Sequence, residues 1–177
     1  NVPPGYRTVR LDYRARVAGS GDIVDVGIKD NGSTQTPIIR LNGTTPSIEF
    51  WLAPSGAGWT PAALELGTWY DVRMIFDFDA DTVAGYYKKT TDPTYTLIAT
   101  LDINNNPSTP SGFVIGELTG QMINVSAEGP YIDDVFLVGE VPDLAQGTLF
   151  EETFDFYLNG TSPNGQGGWV AEDPGPA

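Results

Sequence analysis

From Val9 to Val17 apolar and polar side chains alternate without a break: Val9, Leu11, Tyr13, Ala15 and Val17 against Arg10, Asp12, Arg14 and Arg16. A period of two puts the first set on one face of an extended strand and the second set on the other, which a helix cannot do. The period returns at Val24, Val26 and Ile28, at Ile48, Phe50 and Leu52, and most extensively at Tyr70, Val72, Met74, Phe76 and Phe78. Gly19-Ser20-Gly21-Asp22, Asp30-Asn31-Gly32-Ser33, Asn42-Gly43 and Asp79-Ala80-Asp81 separate or follow these runs as turn signals. Further strands are expected at Ile38–Leu41, Thr82–Lys88, Thr94–Leu101, Phe113–Leu118, Gln121–Ser126 and Tyr131–Val138, while Pro54 to Pro61 reads as a Gly/Pro loop carrying Trp59. No apolar period of 3.6 persists. Roughly a dozen short strands with regular turns predict an all-β fold, a two-sheet antiparallel sandwich.

The 177 residues suit one such domain and are enough to bury a core without cross-links. A formal charge of −14 makes nucleic acid and anionic membranes poor partners, because phosphate binding needs a positive field. Cations and neutral glycans fit better. The chain has no Cys and no His. Disulfides, thiolate chemistry and the ordinary nucleophile–histidine triad are therefore excluded, and the commonest transition-metal ligand is missing. No apolar run approaches membrane-spanning length, so membrane insertion is not expected. The chain opens on Asn1 rather than Met, as a processed secreted protein would, and an extracellular or cell-surface location is expected.

Three stretches carry a resemblance. Gly67-Thr68-Trp69-Tyr70-Asp71-Val72-Arg73 runs on to Asp81-Thr82-Val83-Ala84-Gly85-Tyr86-Tyr87; Tyr131-Ile132-Asp133-Asp134-Val135 follows; and Phe150-Glu151-Glu152-Thr153-Phe154 leads to Gly165-Gln166-Gly167-Gly168-Trp169. Together they resemble the concanavalin A-like jelly-roll superfamily, including laminin-G-like and MAM-type modules and bacterial carbohydrate-binding domains. The resemblance implies a jelly-roll sandwich in which Tyr131–Val135 is the closing strand and Phe150–Phe154 the opening one. Here the opening strand follows the closing strand. The expected organisation is a jelly-roll body over residues 1–141, a connector over 142–147, and a C-terminal segment over 148–177. That segment would complete a sandwich in a neighbouring subunit by strand addition, with Phe150, Phe154, Phe156 and Trp169 as its anchors. Circular permutation within one chain, and a tandem array with a shifted repeat boundary, are the alternatives.

Candidate sites follow from these placements. Asp133 and Asp134 are adjacent and so point to opposite faces of a regular strand. With Glu151, Glu152 and Asp155 they form a candidate set for structural calcium, a hard cation suited to irregular carboxylate sets. Asp77, Asp79 and Asp81 read as an acidic hairpin turn. Arg10, Arg14 and Arg16 could hold an acidic glycan or pair across strands with acids. Trp51, Trp59 and Tyr86 are the candidates for stacking on sugar, Trp51 because it lies on the wet parity of its strand. Asn31, Asn42, Asn124 and Asn159 begin N-glycosylation patterns. Adjacent Glu151 and Glu152 point apart, and the Glu-x-Asp-x-x-Glu pattern of jelly-roll glucanases is absent, so no enzyme is expected. The functional expectation is a non-catalytic extracellular module that assembles head to tail with copies of itself, with carbohydrate binding as the alternative and a glycoside hydrolase as the third reading.

Overall fold

The computed structural model describes residues 8–30, 36–53, 57–103, 115–140 and 147–152. Within them lie β1 (Thr8–Val17), β2 (Ile23–Asp30), β3 (Thr36–Asn42), β4 (Ser47–Ala53), β5 (Ala57–Ala63), β6 (Trp69–Asp77), β7 (Thr82–Lys89), β8 (Thr96–Asp102), β9 (Ile115–Ile123), β10 (Pro130–Glu140) and β11 (Gly147–Glu152). Sheet A has six strands in the order β11-β10-β1-β6-β7-β8, and sheet B five in the order β5-β4-β3-β2-β9. Every pairing is antiparallel. The chain crosses from sheet A to sheet B after β1, returns after β5, crosses again for β9 and finishes in sheet A. This is an all-β sandwich of two antiparallel sheets.

The alternation in the sequence becomes the core. Val9, Leu11, Ala15 and Val17 of β1, with Tyr70, Val72, Met74 and Phe76 of β6, face Val24, Val26 and Ile28 of β2, Ile39 and Leu41 of β3 and Ile48, Phe50 and Leu52 of β4. Each large side chain taken out of water here contributes about 1.5–3 kcal/mol. Tyr13 lies in the same layer, and its hydroxyl donates to the Ile39 carbonyl of sheet B at 3.4 Å. Burial, reinforced by the charge of Asp25, raises the pKa of that phenol. Gly85 lets the sheets close: a Cβ there would stand 2.6 Å from Cδ1 of Phe50.

One polar group is buried in a turn. Asp22 is fully shielded from solvent. Its carboxylate accepts from the backbone N–H of Gly19 at 2.9 Å, of Val125 at 2.8 Å and of Ser126 at 2.8 Å, and from the Ser126 hydroxyl at 2.5 Å. The β1–β2 turn is thereby fastened to the β9–β10 loop. Burial alone would raise this pKa, but the donors from Ser126, Val125 and Gly19 outweigh it and hold it down at about 2.

Four differences from the sequence reading have physical causes. Pro54 to Pro61 is not all loop: β5 pairs with β4 (Ser47↔Ala63, Phe50↔Thr60), and its small residues hide the alternation that would mark a strand. Phe113–Leu118 and Gln121–Ser126 do not form two strands, because the pairing with β2 runs unbroken through Thr119 and Gly120. Asp133 and Asp134 do not point apart. Asp12 pairs with Phe136 and Arg14 with Asp133, so β10 carries an extra residue, and Asp134 sits there at φ 51°. Finally, β11 lies on β10 of its own chain, with Leu137↔Phe150 and Phe136↔Glu151. Residues 148–152 thus pair within their own chain, where the sequence reading expected them to complete a sandwich in a neighbouring subunit. A connection of only a few residues closes at little entropic cost, whereas a second molecule would lose translational freedom. Phe154, Phe156 and Trp169 lie outside the described residues.

Two outcomes test this account. Gly85→Ala should lower unfolding stability in urea by about 1–3 kcal/mol, by forcing Phe50 from its place. Asp22 has a folded pKa below its unfolded value of 3.8, so its contribution is full above that value and is lost as pH falls toward about 2. The melting temperature should drop across that window, and Asp22→Asn should remove this part of the pH dependence while lowering stability at neutral pH.

Candidate functional site

The outward parity of sheet A carries charges of both signs. β1 presents Arg10, Asp12, Arg14 and Arg16; β6 presents Trp69, Asp71 and Arg73; the register pairs Asp12 with Arg73, Arg14 with Asp71 and Arg16 with Trp69. On β7, Tyr86 lies beside Arg73 and Lys88 beside Asp71. Arg14 bridges two acids, with Nε 3.0 Å from Asp71 Oδ1 and Nη1 2.9 Å from Asp134 Oδ2. Lys88 reaches the other Asp71 oxygen at 3.3 Å. Asp12 sits between Arg10 at 2.7 Å and Arg73 at 2.6 Å. The Tyr95 ring is capped by Arg73, 4.3 Å from its centroid, and by Lys88 at 5.3 Å. The hydrogen bond to Asp71 raises the pKa of Arg14, with Asp134 and Asp133 adding to it.

At one end of this ladder lie two aromatic rings. Trp69 and Tyr131 have centroids 6.0 Å apart and planes 47° apart. Tyr131 is 38% exposed. Arg16, in register with both, stands 5.4 Å from the Tyr131 centroid and donates to Glu128 at 2.5 Å. An apolar surface beside fixed donors and acceptors is the arrangement that a polar ligand with one apolar face requires.

The residues singled out from the sequence distribute as follows. Trp51 is on the outward parity of sheet B, but it is only 8% exposed, and the Arg40 guanidinium covers its ring at 4.9 Å. The expectation that it stacks on sugar is corrected: parity gave the face, and Arg40 then took the ring. Arg40 is itself held by Asp25 in two contacts of 2.6 and 2.7 Å. Next to it Glu49 is buried, its Oε1 accepting from Asn42 Nδ2 at 3.1 Å and Ser47 Oγ at 2.6 Å. Trp59 is in β5 rather than a loop, and its side chain lies outside the described residues. Tyr86 is on the outward face of sheet A, as the ladder requires.

Arg10, Arg14 and Arg16 pair with acids. Asp77 accepts from the N–H of Asp79 and of Ala80, making an ordinary turn. The described part of the calcium set does not fit a calcium ion. Asp134 is bound to Arg14, Asp133 accepts from the Asp134 N–H at 2.8 Å, and Arg14 already supplies the positive charge. Glu151 and Glu152 are in register with Phe136 and Val135, and their side chains lie outside the described residues. Asp155 lies outside the described residues. Among glycosylation candidates, Asn42 commits its amide to Glu49 and to the N–H groups of Thr44 and Thr45, while Asn124 is exposed. Asn31 and Asn159 lie outside the described residues. Trp69 and Tyr131 were not among the sugar candidates. The signal for Trp69 was its parity with Asp71 and Arg73, opposite to Tyr70, Val72 and Met74.

No protein-family model matches this sequence, and no curated protein matches it. Solved structures are similar to it at low identity. The catalytic domain of a glycoside hydrolase family 131 protein from Coprinopsis cinerea shares 13% identity over 77% of this chain and 58% of that one, with a TM-score of 0.48. A GH131 β-glucanase catalytic domain from Podospora anserina shares 13% over 75% of this chain and 58% of that one, with a TM-score of 0.44. Domains LG4-5 of the mouse laminin α1 chain share 14% over 75% of this chain and 41% of that one, with a TM-score of 0.30. The present chain thus spans less than two thirds of these proteins. The expectation that it is not an enzyme is withdrawn, since catalytic domains of glycoside hydrolases are among the structures similar to it. Among the described residues no helix is long and apolar enough to cross a membrane.

Arg14→Ala should destabilise the fold by about 1 kcal/mol at neutral pH, a small value because the pairs are partly solvated. The loss should shrink at high salt, which screens partly solvated pairs, and paired denaturation curves at low and high salt check it.

Proposed function

We propose that this chain recognises carbohydrate, outside the cell, through the outward face of sheet A. The observation that carries this is the Trp69–Tyr131 pair beside the Arg14–Asp71–Asp134 and Arg16–Glu128 contacts. A pyranose ring has an apolar C–H face and a rim of hydroxyls. Aromatic side chains take the first, and oriented donors and acceptors take the second. The ion pairs hold those polar groups in place before ligand arrives, so little side-chain entropy remains to be lost on binding. The β1–β6 and β1–β10 registers place both rings next to Arg16, which makes one continuous surface of them.

The test is affinity electrophoresis through gels containing soluble polysaccharides, followed by titration of the best ligand. Trp69→Ala and Tyr131→Ala should each weaken binding about tenfold, equivalent to about 1.4 kcal/mol. Trp51→Ala should lower the melting temperature without changing affinity, since its ring is covered by Arg40. Unchanged affinity in both Trp69→Ala and Tyr131→Ala would remove the face from consideration, and failure of the native chain to bind any polysaccharide would remove the function.

A further inference from the structure

Resting on that reading, we infer that the ligand of this face is an uncharged polysaccharide, and that the charge ladder is what excludes acidic and basic ones. Around Arg14 the face carries Arg10, Arg14, Arg16, Arg73 and Lys88 in contact with or beside Asp12, Asp71, Asp133, Asp134 and Glu128, while Asp77 and Asp102 share the outward parity farther along the sheet. The whole chain has a formal charge of −14, so the stretch around Arg14 is locally balanced in an otherwise acidic molecule. The balance is made contact by contact. Arg14 lies between Asp71 and Asp134, Asp71 between Arg14 and Lys88, and Asp12 between Arg10 and Arg73.

A carboxylated or sulfated sugar would have to take Arg14 from Asp71 or Asp134. The displaced carboxylate would stay on the face beside the incoming anion, and like charges at that distance repel. The field of the acidic chain opposes the approach as well. A sugar ammonium meets the mirror problem: it must draw Asp71 from Arg14 and Lys88, and leaves two cations with one partner fewer. A hydroxyl group needs no such exchange. It donates to a carboxylate oxygen and accepts from a guanidinium N–H while both remain paired, because a carboxylate offers about four lone-pair sites and a guanidinium five N–H donors. The ladder therefore rewards ligands whose polar atoms are neutral and can do both. Binding of such a ligand releases no counterions and is insensitive to salt.

The experiment compares hydroxyethylcellulose, mixed-linkage β-glucan and galactomannan with carboxymethylcellulose, polygalacturonate and chitosan in affinity gels, at salt from about 50 mM to about 500 mM. The native chain should be retained by at least one neutral polymer, within about twofold across the salt range, and not by the acidic ones. Any retention on chitosan should vanish at high salt and survive Trp69→Ala, as expected of the overall acidic charge. Asp71→Asn removes one carboxylate from between Arg14 and Lys88 and should gain salt-sensitive retention on carboxymethylcellulose. Asp134→Asn reads the same effect from the other side of Arg14, and circular dichroism verifies that both variants fold. Native retention that is confined to acidic polymers, lost with salt on the neutral ones, or on chitosan dependent on Trp69, overturns the inference while leaving a glycan site. Folded Asp71→Asn and Asp134→Asn that both gain nothing overturn it too. No retention on any polymer overturns the carbohydrate reading beneath it.

Discussion

Strand β1 does two jobs, and the rest of the molecule depends on both. Its inward side chains, Val9, Leu11, Tyr13, Ala15 and Val17, are buried against sheet B. Its outward side chains, Arg10, Asp12, Arg14 and Arg16, form the spine of the ladder. The strand lies between β10 and β6 and is hydrogen-bonded to both. A shift of its register by one residue would exchange the two faces, putting four charges in the core. The burial energy of the inner face therefore fixes the geometry of the outer one. The ion pairs are too exposed to set the register themselves.

The bulge in β10 shows how a local irregularity changes chemistry. On a regular strand Asp133 and Asp134 would be separated by the sheet, one of them in the apolar layer at a high desolvation cost. The extra residue opposite Tyr13 lets Val135 take the buried place instead, and both acids reach the neighbourhood of Arg14. What would be a misfit for the core becomes part of the polar surface. The two outward faces contrast for a related reason. On sheet B, Arg40 is held by Asp25 and lies over Trp51, which closes that ring to ligands. On sheet A, Arg16 pairs with Glu128 and lies over the Tyr131 ring at 5.4 Å, but Tyr131 is still 38% exposed where Trp51 is 8%.

Much of this was legible in the chain. The alternation in β1, β2, β4 and β6 announced strands, named most of the core and assigned Arg14 and Asp71 to outward faces. Turn residues at Gly19–Asp22 and Asp79–Asp81 marked where strands end. Strand β5 was not legible, because Ala57, Gly58 and Ala62 are too small to show an inside and an outside. The bulge was not legible either, since one residue in the left-handed region leaves no trace in a hydrophobicity pattern. Trp51 was placed on the correct face and given the wrong role, because parity says which way a ring points and nothing about what lies on top of it. The destination of Gly147–Glu152 depended on which strand edge was open, a property of the assembled sheet.

The sequence by itself determined that this chain is a β-sandwich and which side chains go inside, because a period of two is a local property that any strand pairing must respect. Only the tertiary structure decided which outward residues become neighbours. Arg14 and Asp71 are far apart along the chain, as are Arg16, Trp69 and Tyr131. Their proximity comes from strand order and register, which the packing of the whole core selects and no short stretch encodes.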